Sequence, residues 1–111
     1  LWPGLADVYA RAADQPDVEA VKKRLLYIQC VEAARCLEED VVLGPEDADV
    51  ASILGWGFPT HLGGVMSMVH TVGIEAFVSE CDALAQRLGA RFNPPDNLRN
   101  LASTGGALYA A

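Results

Sequence analysis

The sequence has few basic residues, few cysteines and no long uninterrupted apolar run. Its 8 lysines and arginines stand against 15 acidic residues, so the 111-residue chain has a net charge of −7. Because Lys and Arg contacts to phosphate provide most of the affinity for nucleic acid, this charge argues against a nucleic-acid partner. Charged residues interrupt each apolar run before the roughly 18 to 20 residues that span a bilayer. The sequence therefore predicts no membrane partner.

The three cysteines, Cys30, Cys36 and Cys81, are odd in number and lie within apolar stretches. They form neither a disulfide framework nor a CxxC motif, which favours a reducing compartment such as the cytoplasm. On apolar helix faces we expect unreactive core thiols, since burial raises the pKa of a thiol. The chain starts at Leu1 rather than Met, and we expect it to be a processed or excised piece of a longer protein.

Candidate ligand sites are scarce. His61 and His70 have no Cys or carboxylate at ligand spacing, so we expect no metal site. Residues 54–64 read LGWGFPTHLGG, which lacks the GxGxxG spacing and follows a predicted helix rather than a strand. A dinucleotide site needs a strand, a glycine turn and a helix, so the sequence predicts no cofactor-binding residue.

Apolar periodicity predicts an all-α fold, because no stretch shows sustained period-two alternation. Proline and acidic residues mark helix starts and glycine marks helix ends. We expect a single helical domain over 1–111, in which 1–15 is an N-terminal extension or linker. The predicted helices cover 16–40, 45–54, 64–71, 74–88 and 95–102, and the segment 5–13 is a weaker helical candidate.

The first long helix is expected to be central, because it carries two neighbouring apolar stripes. One stripe comprises Val18, Val21, Leu25 and Ile28, and the other comprises Leu26, Cys30, Ala33 or Ala34, and Leu37. Glu32 falls on the first stripe, which turns it towards the core. Either Glu32 accepts hydrogen bonds from the 55–58 backbone, or an ion pair with Arg35 holds it in solvent; the helical wheel leaves both open.

Four motifs follow one another between residues 24 and 109: RLL before EAARCLEE, then GPEDAD, GWGFPTHLGG and PPDNLRNLASTGGALY. In this order they resemble the C-terminal helical domain of 3-hydroxyacyl-CoA dehydrogenases. The likeness is strongest to the last domain of the multifunctional fatty-acid oxidation enzymes, which join an enoyl-CoA hydratase to that dehydrogenase. About residues 16–109 correspond to that domain.

The resemblance implies that the parent enzyme oxidises 3-hydroxyacyl-CoA to 3-ketoacyl-CoA with NAD. In that family a Rossmann domain holds NAD and the catalytic His and Glu, and the first helical domain adds an Asn just before the RLL stretch. Lys23 stands at that position here, so no catalytic residue is expected. The chain looks like the second, non-catalytic helical copy, whose partners are the Rossmann and first helical domains, or a second copy in isolation.

The glycine-rich segment is then expected to be a structural elbow between helices. Gly55 and Gly57 permit backbone conformations closed to other residues, Phe58 anchors the elbow in the core, and Pro59 fixes its exit. Gly63 and Gly64 allow the next helix to approach closely.

Three residues of the elbow, Trp56, Thr60 and His61, are expected to be exposed and to face a partner. Two other functions stay open on the sequence alone. The chain could be a free-standing helical dimerisation or adaptor module, or it could bind acyl-CoA directly.

Overall fold

The computed structural model describes residues 1–109, and every regular element in that part of the chain is a helix. The all-α prediction is confirmed, and the five main helices begin and end within two residues of the predicted bounds. Two short 3₁₀ turns, Thr60–Leu62 and Ala90–Phe92, lie in the connections. The α-helices are α1 Leu5–Val8, α2 Val18–Glu38, α3 Pro45–Trp56, α4 Val65–Val72, α5 Ile74–Leu88 and α6 Asp96–Thr104.

Local signals set these boundaries. The Asp17 carboxylate accepts a hydrogen bond from the Ala20 backbone N–H at 2.8 Å and caps α2. Pro45 opens α3 and is followed by two acidic residues in the first turn. The weaker segment 5–13 is helical only over Leu5–Val8. Residues 1–17 include no buried side chain, and a short helix without tertiary packing is only marginally stable.

The core forms where α2 packs against α3, α4 and α6 and where α5 packs against α4 and α6. The ring of Phe77 on α5 lies 4.7 Å from the ring of Tyr27 on α2. Among the largest fully buried side chains are Phe58, Phe77, Phe92, Met66 and Leu98. The central position expected for α2 is confirmed.

Only one of the two predicted stripes of α2 reaches this core. Cys30, Ala33 and Ala34 are buried. Most of the other stripe is exposed, with Val18 at 64% and Leu25 at 57% of their full accessible surface. The assignment of this stripe to the core is wrong for Val18, Val21 and Leu25, whereas Ile28 is half-buried.

Polar contacts hold the last helix in place. The Arg99 guanidinium donates to both carboxylate oxygens of Asp82, at 3.1 and 2.6 Å, and so joins α6 to α5. The Asn97 side-chain amide donates to the Ala34 carbonyl at 2.9 Å and joins α6 to α2. These contacts fix α6 against the two longest helices.

Candidate functional site

The glycine-rich segment begins where α3 ends. Gly57 adopts a left-handed conformation, with φ of 76°, and its backbone N–H donates to the Ser52 carbonyl. The Phe58 N–H donates to the same carbonyl at 3.0 Å, and the Phe58 side chain is only 2% exposed. A left-handed residue that turns its N–H back to the helix is a common helix terminus, and it directs Phe58 into the core. Pro59 then leads into the 3₁₀ turn.

The three other glycines of the segment, Gly55, Gly63 and Gly64, differ in backbone conformation and in the space around them. Gly64 has a φ of 115°, and a Cβ at this position would lie 2.5 Å from the Asp49 Cα. Only glycine therefore allows α4 to approach α3 this closely. Gly63 is also left-handed, with φ of 78°. Gly55, in contrast, lies inside the last turn of α3 with open space around it, so the unusual conformation expected for Gly55 is wrong.

Asp49 is the polar centre beneath this segment, and it is only 7% exposed. Its Oδ1 accepts hydrogen bonds from the backbone N–H groups of Met66 at 2.7 Å and of Ser67 at 3.0 Å. Its Oδ2 accepts from the Ser67 hydroxyl at 2.8 Å and from the Tyr109 hydroxyl at 2.5 Å. A carboxylate at the N-terminus of α4 also interacts favourably with the helix dipole.

Ser52 completes the contact between α3 and α4. Its hydroxyl donates to the Asp49 carbonyl at 2.8 Å and accepts from the Val65 N–H at 3.3 Å. The first three N–H groups of α4 are therefore all satisfied by side chains of α3. Helix N-termini leave such groups without partners in their own helix, so α3 serves as the cap that Gly64 lacks.

Glu32 does not anchor the segment, and the hypothesis that it accepts hydrogen bonds from the 55–58 backbone is wrong. It is exposed and pairs with Arg35, which is the second of the two alternatives. Arg35 also donates to the backbone carbonyls of Arg91 at 3.0 Å and Asn93 at 2.9 Å. Glu32 forms the ion pair rather than the backbone contacts because its side chain lies on the exposed part of α2. Sequence reasoning did not identify Asp49 as the buried carboxylate. Its position beyond the first turn of α3, three residues before Ser52, was the available signal.

Lys23, which directly precedes the RLL stretch, belongs to a separate charge cluster. Its Nζ lies 2.8 Å from the Glu80 carboxylate on α5, and the Tyr27 hydroxyl donates to the same carboxylate. These two hydrogen bonds, with that of Lys23 the larger effect, lower the pKa of Glu80. Burial, aided by the bond to Glu80, raises the pKa of Tyr27. The cluster joins α2 to α5.

Two of the three thiols lie in the core as expected, whereas Cys36 is half-exposed. Cys30 and Cys81 are fully buried, and burial raises the pKa of each thiol to about 12. Within the described chain, no three His, Cys, Asp or Glu side chains cluster closely enough to hold a metal ion. His70 packs edge-on against Tyr109, with ring centroids 5.6 Å apart. No helix of residues 1–109 is long and apolar enough to cross a bilayer.

The exposed stripe of α2 continues towards the elbow. Trp56 is 56% exposed, and its indole N–H donates to the Gln29 side-chain oxygen at 2.8 Å, which holds the ring beside Ile28 in one groove. Thr60 and His61 are exposed on the neighbouring 3₁₀ turn. We define the α2 apolar face by five side chains: Val18, Val21, Leu25, Ile28 and Trp56. A contiguous apolar surface of this kind is typical of a contact with another protein surface.

Comparison with known proteins identifies several relatives that carry the same name. The chain is 34% identical over 95 residues to a fatty acid oxidation complex subunit alpha of Psychrobacter sp. (strain PRwf-1), covering 86% of this chain and 13% of the relative. It is 35% identical over 86 residues to the subunit of the same name of Shewanella baltica (strain OS185), covering 78% of this chain and 12% of the relative. The chain thus spans about an eighth of the length of these relatives. No family model matches it.

Proposed function

Because this chain is homologous to one segment of fatty acid oxidation complex alpha subunits, we propose that it is the second helical domain of an NAD-dependent 3-hydroxyacyl-CoA dehydrogenase. It acts in fatty-acid β-oxidation, in a cytoplasmic enzyme. The chain performs no chemistry itself. Its role is to support the Rossmann and first helical domains, which hold NAD and the acyl-CoA substrate.

The observation that carries this proposal is the α2 apolar face. Val18 and Leu25 sit at helical spacing on the side of α2 away from the core, and Trp56 is fixed beside Ile28 by its hydrogen bond to Gln29. Burying one Val or Leu side chain stabilises a protein by about 1.5 to 3 kcal/mol, so covering such a face favours association. A helix that is apolar on both sides is expected where a second domain packs against it.

The residues of the elbow do not fit a dinucleotide. A phosphate cradle needs free backbone N–H groups at a glycine turn that opens a helix. Here the N–H groups of Gly57 and Phe58 donate to Ser52, and those of Val65, Met66 and Ser67 donate to side chains of α3 (Ser52 and Asp49). We therefore assign NAD to the Rossmann domain of the parent enzyme.

Lys23 supports the non-catalytic assignment in a second way. The family Asn is a neutral group that can both donate and accept hydrogen bonds, whereas Lys only donates. Here the Lys23 ammonium is already paired with Glu80. The first helical domain, rather than this chain, then supplies that group to the substrate.

An activity assay tests this function. The isolated chain should neither bind NAD in a calorimetric titration nor form NADH from NAD and a 3-hydroxyacyl-CoA, while the full parent protein forms NADH. NADH formation by the isolated chain, or none by the parent protein, would overturn the proposal.

A second candidate is a free-standing dimerisation module, which the same apolar face favours. Sedimentation equilibrium of the isolated chain distinguishes the two. A tight homodimer, combined with a reading frame that holds no Rossmann domain, would favour the module over the dehydrogenase domain.

A further inference from the structure

A narrow cleft opens between the N-terminal half of α2 and the C-terminal half of α5, with a volume of about 230 Å³. Its apolar wall includes Ala20, Leu84 and Leu88, and its basic rim is formed by Lys23, Arg24 and Arg87. The proposed function assigns no contact to this cleft.

The charge of the cleft is opposite to that of the chain. The sequence holds 8 basic and 15 acidic residues, yet the cleft is lined by three basic side chains and by no acidic one. Lys23 is neutralised by Glu80. Arg24 and Arg87 are exposed, and neither joins a salt bridge within the described residues. The cleft therefore presents two guanidinium groups beside an apolar wall.

The size of the cleft indicates what it accepts. Sites for whole small molecules usually measure about 300 to 1,000 Å³, so about 230 Å³ suits one or two side chains better than a cofactor. Guanidinium groups bind carboxylates through paired hydrogen bonds, and Arg is enriched at protein interfaces. An acidic side chain flanked by apolar ones matches both walls.

The cleft also borders the surface that the proposed function assigns to a partner domain. Val21 lines the cleft and belongs to the α2 apolar face. A partner that covers this face therefore reaches Arg24 without a second, separate contact. This continuity favours a protein segment over a free anion.

We propose that the domain covering the α2 apolar face places a carboxylate side chain in this cleft, between Arg24 and Arg87. This inference rests on the proposed function, because it names a specific contact of that same interface. The apolar face supplies affinity, while the two arginines fix the register of the partner on α2 and favour its acidic surface.

The experiment measures the dissociation constant of this chain for the Rossmann and first helical domains of the parent protein, expressed as a separate piece. The double variant Arg24→Glu/Arg87→Glu should raise Kd by about tenfold or more, and the increase should shrink as salt is raised, because salt screens exposed charges. The matched control, Arg11→Glu/Arg91→Glu, has the same charge change at two other exposed arginines outside the cleft. It should change Kd by less than about twofold.

The outcomes separate this inference from the proposed function. If Leu25→Asp abolishes binding while both charge-reversal variants bind equally well, the carboxylate contact is refuted and the interface stands. If the wild-type chain does not bind the other domains at all, the interface and the carboxylate contact are both refuted. Circular dichroism of each variant verifies that the helices are intact, so that a lost affinity reports on the contact itself.

Discussion

The Tyr109 hydroxyl donates a hydrogen bond to Asp49 Oδ2 at 2.5 Å, although the two residues lie 60 positions apart in sequence. The same carboxylate accepts from the backbone at the start of α4, which Gly64 allows to approach. Three segments that are distant in sequence, GPEDAD, the glycine-rich elbow and GGALY, therefore meet at one buried carboxylate.

Replacing Asp49 with Asn should destabilise the chain. An Asn side chain offers one acceptor oxygen and one NH₂ group, so either the N–H groups of α4 or the two hydroxyls lose their acceptor. We expect a loss of about 2 to 4 kcal/mol in the free energy of unfolding, measured with urea. Asp47→Asn, at an exposed position of the same helix, is the control. Equal stability of the two variants would contradict the role of Asp49.

Removing the Tyr109 hydroxyl should have a smaller effect. Tyr109→Phe keeps the ring against His70 but leaves Asp49 with one donor fewer. We expect a loss of about 1 to 2 kcal/mol, seen as a lower melting temperature. Tyr9→Phe, at a side chain that is 73% exposed, should leave the melting temperature unchanged. If both variants have the same melting temperature, the hydrogen bond from Tyr109 to Asp49 contributes nothing to stability.

Two glycines of the elbow should respond in opposite directions to the same substitution. Gly64→Ala forces a Cβ to within 2.5 Å of the Asp49 Cα at a φ of 115°, so we expect a loss above about 3 kcal/mol. Gly55→Ala adds a methyl group to open space inside a helix, and we expect a gain of about 0.5 to 1 kcal/mol. Chemical denaturation of both variants measures the difference, and losses of equal size would contradict this description of the elbow.

The Glu80 cluster predicts a pH dependence of stability. The pKa of Glu80 in the folded chain lies below the ordinary value of 4.5, because Lys23 and Tyr27 donate hydrogen bonds to its carboxylate. The pairing therefore stabilises the fold above about pH 4.5, and the contribution is lost as pH falls through the folded pKa. Glu80→Gln should lose less stability than wild type between about pH 5 and pH 3.

Melting curves at several pH values check this prediction. Glu75→Gln, at an exposed position of the same helix, is the control and should follow the wild-type profile. If the melting temperature of Glu80→Gln depends on pH in the same way as that of the wild type, the pairing of Glu80 is not linked to folding.

The helices could be predicted from sequence because their ends depend on local chemistry. Pro45 opens α3 and Asp17 caps α2, and each of these signals acts within one helical turn. The end of α3 was predicted at residue 54, whereas the helix continues to Trp56 and Gly57 closes it. The motifs also predicted the resemblance to multifunctional fatty-acid oxidation enzymes, which the relatives confirm. These features need no knowledge of tertiary contacts.

The choice between Glu32 and Asp49 could not be made in this way. A helical wheel shows that two faces of α2 are apolar, but only the packed helices show which face the chain itself covers. The wheel placed Glu32 on the face that remains exposed, so of its two alternatives the ion pair with Arg35 is confirmed and the hydrogen bonds to the 55–58 backbone are not. The role of Asp49 depends on the position of α4, whose first backbone N–H groups lie directly against its carboxylate.

We propose that the α2 apolar face packs on the Rossmann and first helical domains of a parent dehydrogenase, and sedimentation velocity of this chain mixed with those domains, expressed separately, tests this proposal most directly. We predict a one-to-one complex that Leu25→Asp abolishes and that Val41→Asp retains, because Val41 is also an exposed apolar residue but lies beyond the end of α2. Independent sedimentation of the two wild-type pieces, or a complex that Leu25→Asp leaves intact, would contradict the claim.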